Sequence, residues 1–433
     1  LKSLKLHNIS FAGNQINVDS SSTLVTIKEV ANLTISSLQL SSNTFETLKT
    51  DPLRLHLNLF EIIDTQNAKL SDHSLHSNTF DGLIRMLKFR GSETTLALEI
   101  NDIMFTLNNN NKQSSNLFTY LSLQSQALQE LNIENISYQS NQLSGKIFSF
   151  QTLPNIQDQS LNPPTQLFLN KISITENPHS KDLGFFYFAS NGETLNSEEC
   201  LQILEPYTLQ INDLYVFNNS FTKGSNSLWF YEVSLFEIRQ TQVVLNNMNL
   251  LYASFEYYNF MNLEQKPSTI VIKASTVKYA ILQSSQIIAT NYIKKYCYNP
   301  LSGGHILDSS TPLYRYSIIY DSVFSGLLLD HSGFIKVDNG FTVVNNNSFY
   351  NISLLESSLL NTGFSPLRAL SGRGSVDFLS GVEESAFFNI PEAFNLYNQI
   401  LQTEKAADPT LKYAYVALKN KFTLIEMAND LLN

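Results

Sequence analysis

An eleven-residue phrase recurs along this chain and leaves few folds open to it. From Leu131 it reads Leu131, Ile133, a polar pair at Glu134 and Asn135, then Ile136, Tyr138 and, after two more residues, Asn141. The same phrase starts at Leu4, Leu33, Leu98, Leu167 and Leu209, closing on Asn14, Asn43, Asn108, Asn177 and Asn219. Weaker copies start at Leu55 and Val243, with Thr65 and Ala253 in place of the asparagine. Apolar residues alternate on each side of the polar bend, which predicts two short strands with one face inward. A helix would need three- and four-residue spacing, which these stretches lack. Starts are separated by 29, 22, 43, 33, 36, 42 and 34 residues. That variation excludes a fixed-length helical repeat and fits constant strands joined by variable loops.

A third apolar segment follows each asparagine, as at Leu24–Ile27, Leu117–Leu121, Lys146–Phe150, Phe185–Phe188 and Leu228–Tyr231. Three strands per turn, turn after turn, predict an all-β parallel β-helix. The low charged fraction of 15% and the 46 asparagines suit stacked turns better than charged surface helices. Asparagine tolerates the left-handed backbone that such corners need. Asn14, Asn43, Asn108, Asn141, Asn177 and Asn219 are therefore expected at one corner of successive turns, their amides bonded in a ladder, with breaks at Thr65 and Ala253.

The repeat and its asparagine column resemble the right-handed parallel β-helix, or pectin-lyase-like, superfamily over residues 1–363. Phrases such as Ser42-Asn43-Thr44-Phe45, Ser77-Asn78-Thr79-Phe80 and Asn347-Ser348-Phe349 look most like large repeat-bearing surface glycoproteins of microbial eukaryotes. The resemblance implies architecture and not one activity.

Residues 364–390, with Pro366, Gly372 and Gly374, read as a linker. Residues 391–433 read as a helical hairpin or cap. Asp408-Pro409 is a helix start signal. Leu411, Tyr415, Leu418, Phe422, Ile425 and Leu432 follow at three-four spacing, giving a face that covers the solenoid or docks on another subunit.

Many pectin-lyase-like proteins act on polysaccharides. Their hydrolases pair aspartates near a Gly-His-Gly; this chain has no Asp-Asp pair, and Ile306 follows Gly303-Gly304-His305. Asp330-His331 resembles a lyase pair but lacks clustered carboxylates in a traceable register. Asp72-His73-Ser74 is not a triad, because triad members converge in space and are not consecutive. No catalytic, metal or cofactor residues are assigned. The net charge of −10 argues against a nucleic-acid surface, and no run approaches the length of a membrane-spanning helix.

Cys200 and Cys297 sit in loop-like sequence and are a candidate disulfide. Asn-x-Ser/Thr sequons occur at Asn8, Asn32, Asn135, Asn218, Asn346 and Asn351. Together these features predict an extracellular, non-enzymatic structural glycoprotein, carrying N-linked glycans, that self-assembles as a homo-oligomer or end-to-end filament, or mediates adhesion. The first phrase is already running at Leu4, so the first turn is expected to present an open edge to another chain. Two alternatives stand beside this reading: a polysaccharide lyase or hydrolase, and a glycan-binding module using Trp229, Tyr231, Tyr257 and Tyr258. Packing under a loop is the competing reading of those aromatics.

Overall fold

The structure is a computed structural model. It describes residues 1–47, 55–91, 95–110, 117–124, 127–152, 167–178, 180–190, 207–224, 234–239, 241–264, 269–291, 296–299, 304–307, 315–337, 340–355, 357–361, 415–418 and 421–427. Among these residues the chain is all-β, with long parallel sheets. The phrase builds the longest sheet, of 21 strands; the third apolar segment builds a sheet of 11, in which Ser234–Arg239 is the strand after Leu183–Ser190 while the expected Leu228–Tyr231 lies outside the described residues; a short sheet of four lies between them early in the chain. One two-stranded ribbon, Tyr296–Asn299 with Gly304–Leu307, is antiparallel.

Each strand pairs with its counterpart one circuit later, an arrangement compatible with a parallel β-helix. Leu4 aligns with Leu33, Leu98 with Leu131, Leu131 with Leu167 and Leu167 with Leu209. Loops absorb the differences in spacing, since parallel strands need only a crossover long enough to return.

The weak copy at Leu55 is corrected. Strand His56–Ile63 belongs to the 11-stranded sheet. The true third copy starts at Ala68, which aligns with Leu33 and Leu98. Its pattern is hard to read because Ala68 replaces the leading leucine and His73 the third apolar residue. Thr65 is buried elsewhere in the circuit, and Asn78 takes the corner position.

The C-terminal helix is also corrected. Tyr415–Leu418 and Lys421–Met427 are strands. They pair in parallel with Gly340–Asn345 and Ser348–Leu355, aligning Phe422 with Phe349 and Ile425 with Ile352. The expected helix face is therefore a further circuit across Tyr415, Leu418, Phe422 and Ile425. Leu411, Leu432 and the linker 364–390 lie outside the described residues.

Inward residues form one continuous core. Leu33, Ile35, Leu38 and Leu40 are buried in the second circuit, as are Leu131, Ile133, Ile136 and Tyr138 in the fifth. Aromatics stack along the axis within it: Phe45 on Phe80 at 5.5 Å, Phe80 on Phe118 at 4.1 Å, and Phe148 on Phe186 at 4.9 Å between ring centroids. Such offset pairs add to the area they bury.

Candidate functional site

Two corners of each circuit share one backbone solution. At the bend inside the phrase, Asn8, Ser37, Asp72, Asp102, Asn135, Lys171, Asp213, Asn247, Ala274, Asp321 and Asn346 all have φ between +46° and +59°. Each is followed by an inward residue. Five residues after the bend, a second left-handed column holds Gly13, Ser42, Ser77, Leu107, Ser140, Glu176, Asn218, Tyr252, Tyr279, Gly326 and Asn351.

The asparagines follow this second column. Asn43 Nδ2 donates to Asn78 Oδ1 at 3.0 Å and to Phe11 O at 2.8 Å, while its backbone N–H also donates to Asn78 Oδ1. Asn108 repeats this, donating to Asn141 Oδ1 and Leu75 O. Asn14 opens the run, and Asn141, Asn177 and Asn219 continue it. Each amide thus satisfies corner N–H and C=O groups that burial strips of water. At Ala253 the acceptor is missing and the run stops.

Hydroxyls then take over at other corners. Ser275 Oγ accepts from Met248 N–H, Ser322 Oγ from Ser275 N–H, and Asn347 Oδ1 from Ser322 N–H. At a third corner Ser285, Ser332 and Ser357 do the same for Tyr258, Ser285 and Ser332. The Ser275–Ser322 ladder escaped the sequence reading because most earlier circuits fill its slot with isoleucine or leucine, as at Ile103, Ile136, Ile172 and Leu214. The available signal was a serine at an otherwise apolar slot, repeated at Ser275 and Ser322.

Polar side chains facing solvent pair along the axis. Lys69 meets Glu99 at 2.6 Å, Lys171 meets Glu134 at 2.7 Å, and Glu61 meets both Lys88 and Arg90 at 3.1 Å. The hydrogen bond and charge of Glu134 hold the Lys171 ammonium above its ordinary range. Among the described residues no three of His, Cys, Asp and Glu are grouped as metal ligands.

Among the described residues His73 is the one histidine drawn into the core. It sits 1% exposed directly after the Asp72 corner. Its Nε2 donates to Ile35 O at 3.0 Å, and its Nδ1 accepts from the Tyr120 hydroxyl at 2.6 Å. Both nitrogens are used, which fixes a neutral tautomer. Burial lowers its pKa to about 4 against the favourable bond to Ile35. Asp72 is exposed, His73 buried and Ser74 half-buried, so the three do not converge. Asp330-His331 forms a local pair at 2.5 Å on an exposed corner.

All six sequon asparagines are exposed. Asn8, Asn135 and Asn346 occupy the first left-handed column and Asn218 and Asn351 the second. Asn32 donates to Lys2 O, Asn135 to Asp102 and Asn346 to Asp321. Cys297 lies on the antiparallel ribbon opposite Ile306; Cys200 lies outside the described residues. So do Trp229 and Tyr231, while Tyr258 is buried and Tyr257 is 56% exposed. His305 is on the same ribbon as Cys297, opposite Tyr298.

An exposed aromatic strip runs beside the second column, at residues the sequence reading missed. Tyr215 stacks with Phe217 at 5.9 Å, Phe217 meets Tyr252 edge-on at 5.8 Å, and Tyr252 stacks on Tyr279 at 4.8 Å. A shallow cavity of about 480 Å³ opens there, lined by Asn218, Ser220, Tyr252, Ser254, Tyr279 and Ile281 among others.

No protein-family model, curated protein or solved structure matches the chain. Among the described residues no helix is long and apolar enough to cross a membrane.

Proposed function

We propose that the circuits wind as a right-handed parallel β-helix that serves as an extracellular structural module, associating with further copies or with a surface. The observation that carries this reading is the run of corner ladders along the axis, which joins Asn14 to Asn219 through side-chain bonds at every step. A stack of this kind is stiff along its axis, and repeats such as these contact only their neighbours. Parallel strand edges at the ends of such a stack pair with any matching edge, which supports end-to-end assembly. N-linked glycans on the exposed sequons belong to the same reading.

The alternative drawn from the family resemblance is a polysaccharide lyase or hydrolase. Glycoside hydrolysis needs two carboxylates converging on one bond. Here Glu61, Glu99 and Glu134 are each committed to a lysine or arginine neighbour.

Negative-stain electron microscopy and light scattering across a wide concentration range test the proposal. Rods that lengthen or pair with concentration are expected. Strictly monomeric particles that also fail to bind cells or matrix would overturn it, and turnover on a panel of acidic and neutral polysaccharides would favour the enzyme.

A further inference from the structure

We infer that Asn218 carries an N-linked glycan whose first sugar packs on the aromatic strip at Tyr252. This rests on the extracellular reading above and sharpens it to one site.

Four observations converge. Asn218-Asn219-Ser220 is a sequon, and both Asn218 and Ser220 line the cavity beside the strip. Asn218 is exposed and left-handed, with φ +52°. The sequon asparagines Asn135 and Asn346, at the other left-handed corner, donate to Asp102 and Asp321. Among the described residues the Asn218 amide makes no such bond, so its Nδ2 is uncommitted. The third observation is the neighbour. Asn218 N–H donates to Leu251 O at 3.1 Å, which sets Tyr252 one circuit along at the same corner.

The fourth is strain. Tyr252 and Tyr279 hold φ of +53° and +55° and are the only aromatic residues in a column that otherwise takes glycine, serine, asparagine, Leu107 and Glu176 among the described residues. A bulky side chain there is a conformational outlier. Yet Tyr252 is 54% and Tyr279 51% exposed, so core packing does not account for them. A flat apolar ring rimmed by Asn218, Ser220 and Ser254 matches a sugar, which offers a C–H face and a hydroxyl edge. The net charge of −10 disfavours an anionic occupant.

The covalent step is ordinary sequon chemistry. Asn218 Nδ2 forms a bond to the anomeric carbon of a polyisoprenyl-diphosphate-linked oligosaccharide. The carbon–oxygen bond to the diphosphate breaks, the diphosphate leaves with the electron pair, and Nδ2 gives up one proton to the transferase.

The test is the full chain secreted from a eukaryotic host behind a leader, analysed by glycopeptide mass spectrometry and thermal unfolding. Asn218 is expected to be occupied, and Ser220→Ala to abolish occupancy there alone. Enzymatic removal of glycans is expected to lower Tm by about 2 °C more in the parent chain than in Tyr252→Gly. That variant places at the corner the residue it bears at Gly13 and Gly326. Occupancy at other sequons with Asn218 bare would overturn the inference and leave the glycoprotein reading standing. No occupancy anywhere would overturn both. Occupied Asn218 with equal Tm changes in the two backgrounds would overturn the packing on Tyr252.

Discussion

His73 shows how one residue can break a repeat and still belong to it. Its slot holds Ile9, Leu38, Ile103 and Ile136 in neighbouring circuits, so a plain apolar residue would serve. The imidazole is instead satisfied at both nitrogens by Ile35 O and the Tyr120 hydroxyl. Because the folded ring stays neutral down to about pH 4 and the unfolded ring titrates near 6.5, the unfolded chain binds more protons between those values. Stability from this group is therefore complete above about pH 6.5 and is lost as pH falls towards 4. The loss is on the order of 3 kcal/mol. Urea unfolding at pH 7 and pH 4.5 measures it, and His73→Leu should remove most of the difference between the two. An unchanged pH dependence in that variant would show that the ring is not buried neutral. In the sequence His73 stood out only as part of a false triad, because nothing local reveals that Tyr120, far along the chain, lies across from it.

At the scale of the element, corners decide which strands can form. The strand Gly145–Thr152 begins on a glycine with φ +113°. A Cβ there would lie 2.6 Å from Phe118 O and 2.9 Å from Phe118 N, backbone atoms held by the bond from Phe118 N–H to Ser144 O. Gly145→Ala should cost about 2 kcal/mol or more, since neither the dihedral nor the space admits a side chain. Gly13→Ala is the matched control. Its φ of +65° carries the dihedral penalty, but nothing lies within 4 Å of the added carbon. Chemical denaturation of both variants should therefore rank Gly145→Ala well below Gly13→Ala; equal losses would mean that the Phe118 contact relaxes. Corners also explain what the sequence hid about the C-terminal strands. Across a left-handed corner, inward residues are three apart, as Phe324 and Leu327 or Phe349 and Ile352 are. Phe422 and Ile425 repeat that step, which alone is indistinguishable from a helical one. The full phrase resolves the ambiguity only where its leading leucine pair survives, as at Leu33 and Ile35. Where Ala68 or Tyr415 stands at that point, the register is set by the neighbouring circuit and not by local pattern.

For the whole molecule, what matters is where the ladders change hands. Asparagine amides link successive circuits as far as Asn219, and serine hydroxyls resume the linking from Met248 onwards. Between those points Ala253 offers no acceptor, and Leu214 and Met248 occupy the other corner. The junction still has backbone pairing, with Leu209 opposite Val243. It has apolar contact from Phe221 to Phe255 at 5.4 Å, and the Tyr258 hydroxyl donates to Leu183 O. It lacks the buried corner ladder that every earlier step carries; the amides that cross it, from Asn246 to Asn212 and from exposed Asn247 to Asp213, lie on the outer side of the bend. In a stack with only nearest-neighbour terms, cooperative units divide where coupling is weakest. Asn108→Ala provides the probe. It strips acceptors from Asn78 and donors from Asn141 and Leu75, all buried, at a cost of about 2–4 kcal/mol. Hydrogen exchange of that variant should quicken through the strands up to Tyr207–Phe217 and stay at the parent rate in Thr269–Lys273 and Arg315–Tyr320. A uniform increase on both sides of Ala253 would show one cooperative unit and remove the division at the junction.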